Sequence, residues 1–240
     1  MGIHAVINGK VSSTGSNLSQ KLEDLMTSNL FQNLLYLPYN KGLFPVISHS
    51  INHLGRKLAL PENMNIEKFQ FWPKWDSCEP DLVLSFIQTE TKKKINVLIE
   101  AKLYSALSGQ NQLVRELSDF NKAFPDEDNY LIYLNAETYF PKIEFNQSKK
   151  LDKSVNLEKF YWLTYEGIHK AINIPENRKN LILSNILQLL EYYYFVPFEK
   201  WSEYRHINYS YKTFIKNDIQ FNKYNQVKSK YNPVWTTIKS

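Results

Sequence analysis

The chain holds a single cysteine, Cys78, among its 240 residues, which excludes an intramolecular disulfide and any zinc site built from several thiolates. No run approaches roughly 18 uncharged apolar residues, so no membrane-spanning helix is expected. The opening MGIHAVINGKVSSTGSNLSQ lacks a basic start followed by an apolar stretch. Val6 also stands where a myristoylation motif wants serine or threonine, and a cytoplasmic location is the expectation. Glycine is scarce, with seven residues, and neither a glycine-rich phosphate loop nor a G-x-S-x-G elbow is present. Nothing therefore points to P-loop ATP hydrolysis or serine esterase chemistry. Of the five histidines only His49 and His53 fall at an i, i+4 spacing; with no third ligand near them, they read as packing or surface residues.

What is present starts with a net charge of +5 that is unevenly spread. Residues 199–240 carry Lys200, Arg205, Lys212, Lys216, Lys223, Lys228, Lys230 and Lys239 against Glu199, Glu203 and Asp218, while the rest of the chain is nearly balanced. Aromatic residues interleave with these cations, a combination that a nucleic-acid strand can use for phosphate contact and base stacking. Lys212, Lys216, Lys223, Lys228 and Lys230 are the candidate nucleic-acid contacts. The competing reading is a solvated face on a tail packed by its aromatics. The chain reads as one domain over residues 1–198 followed by a basic, aromatic extension over 199–240 that packs on it.

Periodicity predicts an α/β domain. NLSQKLEDLMTSNLFQNLLYL spaces its leucines helically before Pro38, with a bend or break near Thr27-Ser28-Asn29, and a second helix is expected from Pro45 to Lys57. Strands are expected at residues 66–72, 81–88, 95–103, 129–136 and 159–165, the second and third forming a hairpin across TETKKK. SGQNQLVRELSDFNKAF places Leu113, Leu117, Phe120 and Phe124 on one helical stripe that packs on the sheet. Further helices are expected at 166–173 and 178–195.

The hairpin carries the chemistry. With its turn centred on Thr91 and Lys92, Asp81 lies opposite Lys102 and Val83 opposite Glu100. One face is then wholly apolar (Leu82, Leu84, Phe86, Val97, Ile99, Ala101, Leu103). The other gathers Asp81, Glu100 and Lys102 at one end, with Asp81 and Glu100 diagonal neighbours whose Cβ atoms are within about 7 Å. Two hard carboxylate ligands beside an ammonium suit Mg²⁺, which keeps several waters and takes phosphate oxygens for its remaining positions. Such an arrangement suits metal-assisted phosphodiester hydrolysis by water. The alternative reading is a cross-strand ion pair between Asp81 and Lys102, worth at most about 1 kcal/mol.

Pro80-Asp81, eighteen intervening residues, and Glu100-Ala101-Lys102 at the end of the next apolar strand resemble the PD-(D/E)XK nuclease superfamily. Glu90-Thr91-Lys92 is a second E-x-K triplet, but it falls in the turn. The resemblance covers roughly residues 18–165 and implies a restriction-endonuclease-like core, a central mixed β-sheet flanked by helices. By it, Asp81, Glu100 and the carbonyl of Ala101 would hold Mg²⁺, for which Mn²⁺ would substitute, and Lys102 would be the catalytic lysine. A glutamine at the start of the following helix would join them, Gln110 or Gln112, the run Gln-Leu-Val-Arg-Glu favouring Gln112. An acidic residue of the first helix, Glu23 or Asp24, is the remaining candidate, Glu23 as an extra ligand. EDLMTSNLFQNLLYLP also resembles the N-terminal segment of uncharacterised microbial members, some linked to defence against phage. The implied activity is a metal-dependent endonuclease acting on DNA rather than RNA, in antiviral defence or restriction. Without an evident sequence-reading module, targeting would come from a homodimer or a partner protein. The rival is an inactive member of the fold that binds nucleic acid or a partner, against which the intact Asp81, Glu100 and Lys102 set weighs.

Overall fold

A computed structural model describes residues 18–103, 107, 112–137, 140–142, 146 and 156–197. Contacts divide the chain into the units Met1–Pro197 and Phe198–Ser240. The candidate nucleic-acid contacts Lys212, Lys216, Lys223, Lys228 and Lys230, like Gln110, lie outside the described residues.

Helix α1 (Leu18–Leu35) runs unbroken through Thr27-Ser28-Asn29, where a bend or a break was expected. Thr27 and Ser28 are fully buried, and Asn33 donates from Nδ2 back to the Asn29 carbonyl at 2.8 Å, so the polar residues sit within the helix and not at a turn. The helix expected over residues 45–57 is replaced by a short α2 (Leu43–Ile47) and the two-residue strand β1 (Ile51–Asn52). A tight turn accounts for the difference. The Asn52 carboxamide oxygen accepts from the backbone N–H groups of Leu54 and Arg56, both at 3.0 Å, while Gly55 takes φ +72°, which glycine adopts without strain. His49 and His53 are consequently not partners on one helix.

Strands β2 (Met64–Phe71), β3 (Leu82–Gln88) and β4 (Lys94–Lys102) form an antiparallel meander. Helix α3 (Gln112–Ala123) lies in the connection that carries the chain to β5 (Asp128–Asn135), parallel to β4; β6 (Phe160–Thr164) is parallel to β5 and pairs antiparallel with β1. The resulting six-stranded mixed sheet has the order β1-β6-β5-β4-β3-β2. Helices α4 (Tyr165–Ile172) and α5 (Leu181–Tyr192) follow, capped by the Thr164 hydroxyl and the Asn180 carboxamide respectively.

Strand alternation sorts the core into two layers. Leu82, Leu84, Phe86, Val97, Ile99 and Ala101 pack with Met26, Leu30 and Leu34 of α1 and with α2, α4 and α5. Val83, Leu98, Leu131, Tyr133 and Phe160 face the other way, against Leu113, Leu117 and Phe120 of α3. The protein is thus an α/β structure in which a mixed sheet is flanked by helices, as expected, and the two faces of the hairpin divide as the sequence indicates.

The register within the hairpin differs from the expectation by two residues. Leu82 pairs with Ile99 and Val83 with Leu98, whereas the sequence reading set Val83 opposite Glu100. The turn is the cause. Gln88 N–H bonds the Lys93 carbonyl at 2.9 Å and Lys92 N–H reaches back to the Gln88 carbonyl at 3.0 Å, with Lys92 at φ +57°, so the turn centres between Glu90 and Thr91. An even slip leaves every side chain on its expected face. Continued one step, the observed register sets Asp81 across from Glu100 and not from Lys102.

Candidate active site

At the end of β4 the two helical layers meet around three charged residues. Asp81, just before β3, accepts from the Ala101 backbone N–H through Oδ2 at 2.8 Å and from the Trp72 indole N–H through Oδ1 at 3.1 Å. Trp72 also donates its backbone N–H to the Asp81 carbonyl at 3.1 Å and stands at φ +48°. That conformation is strained for a bulky residue and persists where surrounding bonds over-determine it. Lys102 contacts Oε1 of Glu100 at 2.6 Å and Oε1 of Glu23 at 3.3 Å. Glu23, from α1, further accepts the Leu103 backbone N–H at 2.8 Å. On the other side of the sheet, Gln112, the first residue of α3, donates from Nε2 to Oε1 of Glu100 at 2.5 Å and to Oε1 of Glu116 at 2.8 Å.

The sequence candidates Asp81, Glu100, Lys102, Gln112 and Glu23 are therefore brought together. Asp24, the other acidic candidate, is also buried on α1. Glu116 was not foreseen, although it is wholly buried. Its signal was the i, i+4 spacing from Gln112 beside the Leu113 and Leu117 stripe, which puts both polar groups at the sheet-facing edge of α3.

The electrostatics are unbalanced. Among the described residues, four carboxyl groups, Glu23, Asp81, Glu100 and Glu116, surround one ammonium, Lys102. Burial raises Asp81 above its ordinary value despite Lys102 and the Ala101 N–H. Burial, then Asp81 and Glu116, raises Glu100 well above the usual carboxylate range. Glu116 is pushed up to about 7, chiefly by burial and against its bond to Gln112. Burial alone would lower Lys102, but the charges of Glu100, Asp81 and Glu23 outweigh it and hold the ammonium above its ordinary value. Oε2 of Glu100 and Oε2 of Glu116 are buried without a hydrogen-bond partner.

No family model matches the chain, and no solved structure does. It is similar to an uncharacterized protein of Pasteurella multocida (strain Pm70), 24% identical over 209 residues that cover 77% of this chain and 75% of that protein.

The site is supported by a clamp on the loop that leads from β2 to Asp81. Asp119 of α3 accepts through Oδ2 from the Ser77 backbone N–H at 3.0 Å and the Ser77 hydroxyl at 2.5 Å, while Lys122 holds Oδ1 at 3.0 Å. Trp75 stacks on Phe120, ring centroids 6.0 Å apart. The Ser77 hydroxyl, foremost, holds the Asp119 carboxyl down at about 2. A depressed carboxyl contributes stability that is full above its unfolded value, near 3.8, and lost as pH falls toward the folded one. Asp119→Ala is expected to destabilise the protein by about 2 kcal/mol at neutral pH. The difference from wild type, read by urea denaturation, should narrow between about pH 4 and pH 2. A difference that does not change with pH in that window would refute this account of the clamp.

Proposed function

We propose that the chain is a metal-dependent nuclease with a restriction-endonuclease-like core that hydrolyses DNA phosphodiester bonds by water attack. The observation that carries the reading is the convergence of Asp81, Glu100 and Lys102, the residues of the sequence motif, at one end of β3 and β4 with Gln112 bonded to Glu100. The antiparallel meander β2-β3-β4, the connection through α3 and the parallel β5 supply a topology in keeping with that core.

Whether these residues suit Mg²⁺ or Mn²⁺ can be tested on the donors. Among the described residues, no three histidine, cysteine, aspartate or glutamate side chains are grouped closely enough to hold a metal by themselves. Magnesium asks for less, since one or two carboxylates suffice when waters and substrate oxygens complete its shell. The unpartnered Oε2 of Glu100 and the surplus of carboxyls over ammonium are what such a cation relieves. The residues fit: Asp81, Glu100 and the Ala101 carbonyl would hold the ion, with Glu23 close by through Lys102. When bound, the ion would lower the pKa of a water and offset charge on the phosphate.

The remaining work falls to the chain. Because its neighbours hold Lys102 above its ordinary value, it acts as an ammonium that orients the attacking water and stabilises charge growing on the phosphate oxygens, not as a proton acceptor. Gln112 fixes the Glu100 carboxylate in place. Trp72 and the Ala101 N–H do the same for Asp81.

The test is incubation of the purified protein with supercoiled plasmid, linear duplex and single-stranded DNA in Mg²⁺, Mn²⁺ or EDTA, beside Asp81→Asn. The expected result is metal-dependent cleavage that Asp81→Asn lowers by at least about 100-fold, as for loss of a group that serves the transition state. Folded wild-type protein that retains DNA without cutting it in either metal would instead favour the binding role.

A further inference from the structure

We propose that Glu116 is a positioning residue that, through the Gln112 amide, sets the Glu100 carboxylate so that Oε2 is the oxygen left open to a cation. The inference rests on the nuclease reading for its purpose but on geometry for its substance. A glutamine amide can sit in either of two orientations, with its NH₂ or its oxygen toward a neighbour. Here the group facing Glu100 and Glu116 has carboxylate oxygens at 2.5 Å and 2.8 Å, and an amide oxygen in that position would confront two acceptors. In the NH₂ orientation each hydrogen has one carboxylate to bind.

Glu116 is the second anchor of this amide. Without it, Nε2 of Gln112 would lose one of the two carboxylates that hold it against the strand. Glu116 sits four residues along the same helix, wholly buried, and takes the second hydrogen. The amide, so held, and Lys102 at 2.6 Å both converge on Oε1 of Glu100, and the buried Oε2 has no partner. A carboxylate pinned through one oxygen by two donors presents the other in one direction, which is what an outer-shell partner does for a metal ligand.

Packing alone would not require an acid here. The volume of Glu116, next to Leu113 and Leu117, could be filled by methionine, which would also spare the burial of a carboxyl. A functional reason for the residue predicts different consequences for Glu116→Met and Glu116→Gln, since only the second retains an acceptor oxygen for Gln112.

The experiment uses the full chain. The side-chain NH₂ resonances of Gln112, assigned by their loss in Gln112→Met, are followed by ¹⁵N–¹H NMR in wild type, Glu116→Met and Glu116→Gln, and Mn²⁺ affinity is measured on the same samples by calorimetry. Both amide protons are expected to be protected from solvent exchange in wild type and in Glu116→Gln. In Glu116→Met one should lose protection, and Mn²⁺ affinity should fall by about 10-fold or more while Glu116→Gln stays close to wild type. Combining Gln112→Met with Glu116→Met should weaken Mn²⁺ binding no further than Gln112→Met alone, because the two act in series. Unchanged protection or unchanged Mn²⁺ affinity in Glu116→Met would overturn the proposal even if the protein cuts DNA. The predicted NMR and Mn²⁺ pattern in a protein that cuts nothing would leave the proposal standing and count against the nuclease reading.

Discussion

Lys102→Ala is expected to abolish cleavage, by a factor of about 1,000 or more, and to destabilise the fold at the same time. The two losses have one origin. Lys102 is the ammonium between Glu100, at 2.6 Å, and Glu23, at 3.3 Å, and its charge reaches Asp81 as well. Removing one partner of a buried ion pair leaves the other charge uncompensated, a change that ordinarily costs about 3–5 kcal/mol. Arginine would not restore it, because a planar guanidinium cannot replace a compact ammonium between two carboxylates at these distances without moving one of them. Cleavage is therefore to be assayed at a temperature where circular dichroism shows the variant folded, and stability is to be read separately in urea. A folded Lys102→Ala protein that still cuts DNA at near wild-type rate would remove the lysine from the mechanism. One that loses activity with no loss of stability would show that the carboxyls around it are not charged together in the resting protein.

The layout that makes Lys102 so exposed to substitution was partly legible in the residues themselves. Alternation along INVLIEAKL assigns Val97, Ile99 and Ala101 to one core and Leu98 and Glu100 to the other, and the structure divides them that way. The division survived a two-residue error in register because strand faces repeat every second residue; the turn conformation at Lys92, which decides the register, leaves no mark in hydrophobic periodicity. Glu116 was hidden for a different reason. A glutamate on an amphipathic helix ordinarily faces water, and only its spacing from Gln112 pointed inward. Trp72 and the Asp119 clamp on Ser77 join residues 9 and 42 positions apart through a loop, where no period exists to be read. The helix expected across His49 and His53 gave way to a turn because Asn52 and Gly55 offered local bonds and a backbone freedom that helical propensity does not weigh.

Glu100→Gln should do the reverse of Lys102→Ala to stability while also ending catalysis. Glu100 is 1% exposed, and burial followed by the charges of Asp81 and Glu116 holds its carboxyl well above 4.5. A carboxyl raised in the folded state binds its proton more tightly there than in the unfolded chain. Its contribution to stability is complete below the unfolded value, near 4.5, and is lost as pH rises through the folded one. Glu116, raised to about 7, has the same sign. Wild-type protein in EDTA should accordingly become less stable between about pH 4.5 and pH 7. Glutamine at position 100 keeps the shape and an acceptor for Lys102 and Gln112 but carries no charge to bury. In EDTA at pH 8 it should be more stable than wild type by about 1–2 kcal/mol, and its stability should decline less with pH. Calcium, a divalent ion of the same hard, oxygen-seeking kind, should raise the melting temperature of wild type at pH 8 more than at pH 5 and leave Glu100→Gln nearly unmoved. If Glu100→Gln proves less stable than wild type in EDTA at pH 8, the carboxyl surplus is not a strain on the folded protein, and the main physical reason for expecting a cation between Asp81 and Glu100 is gone.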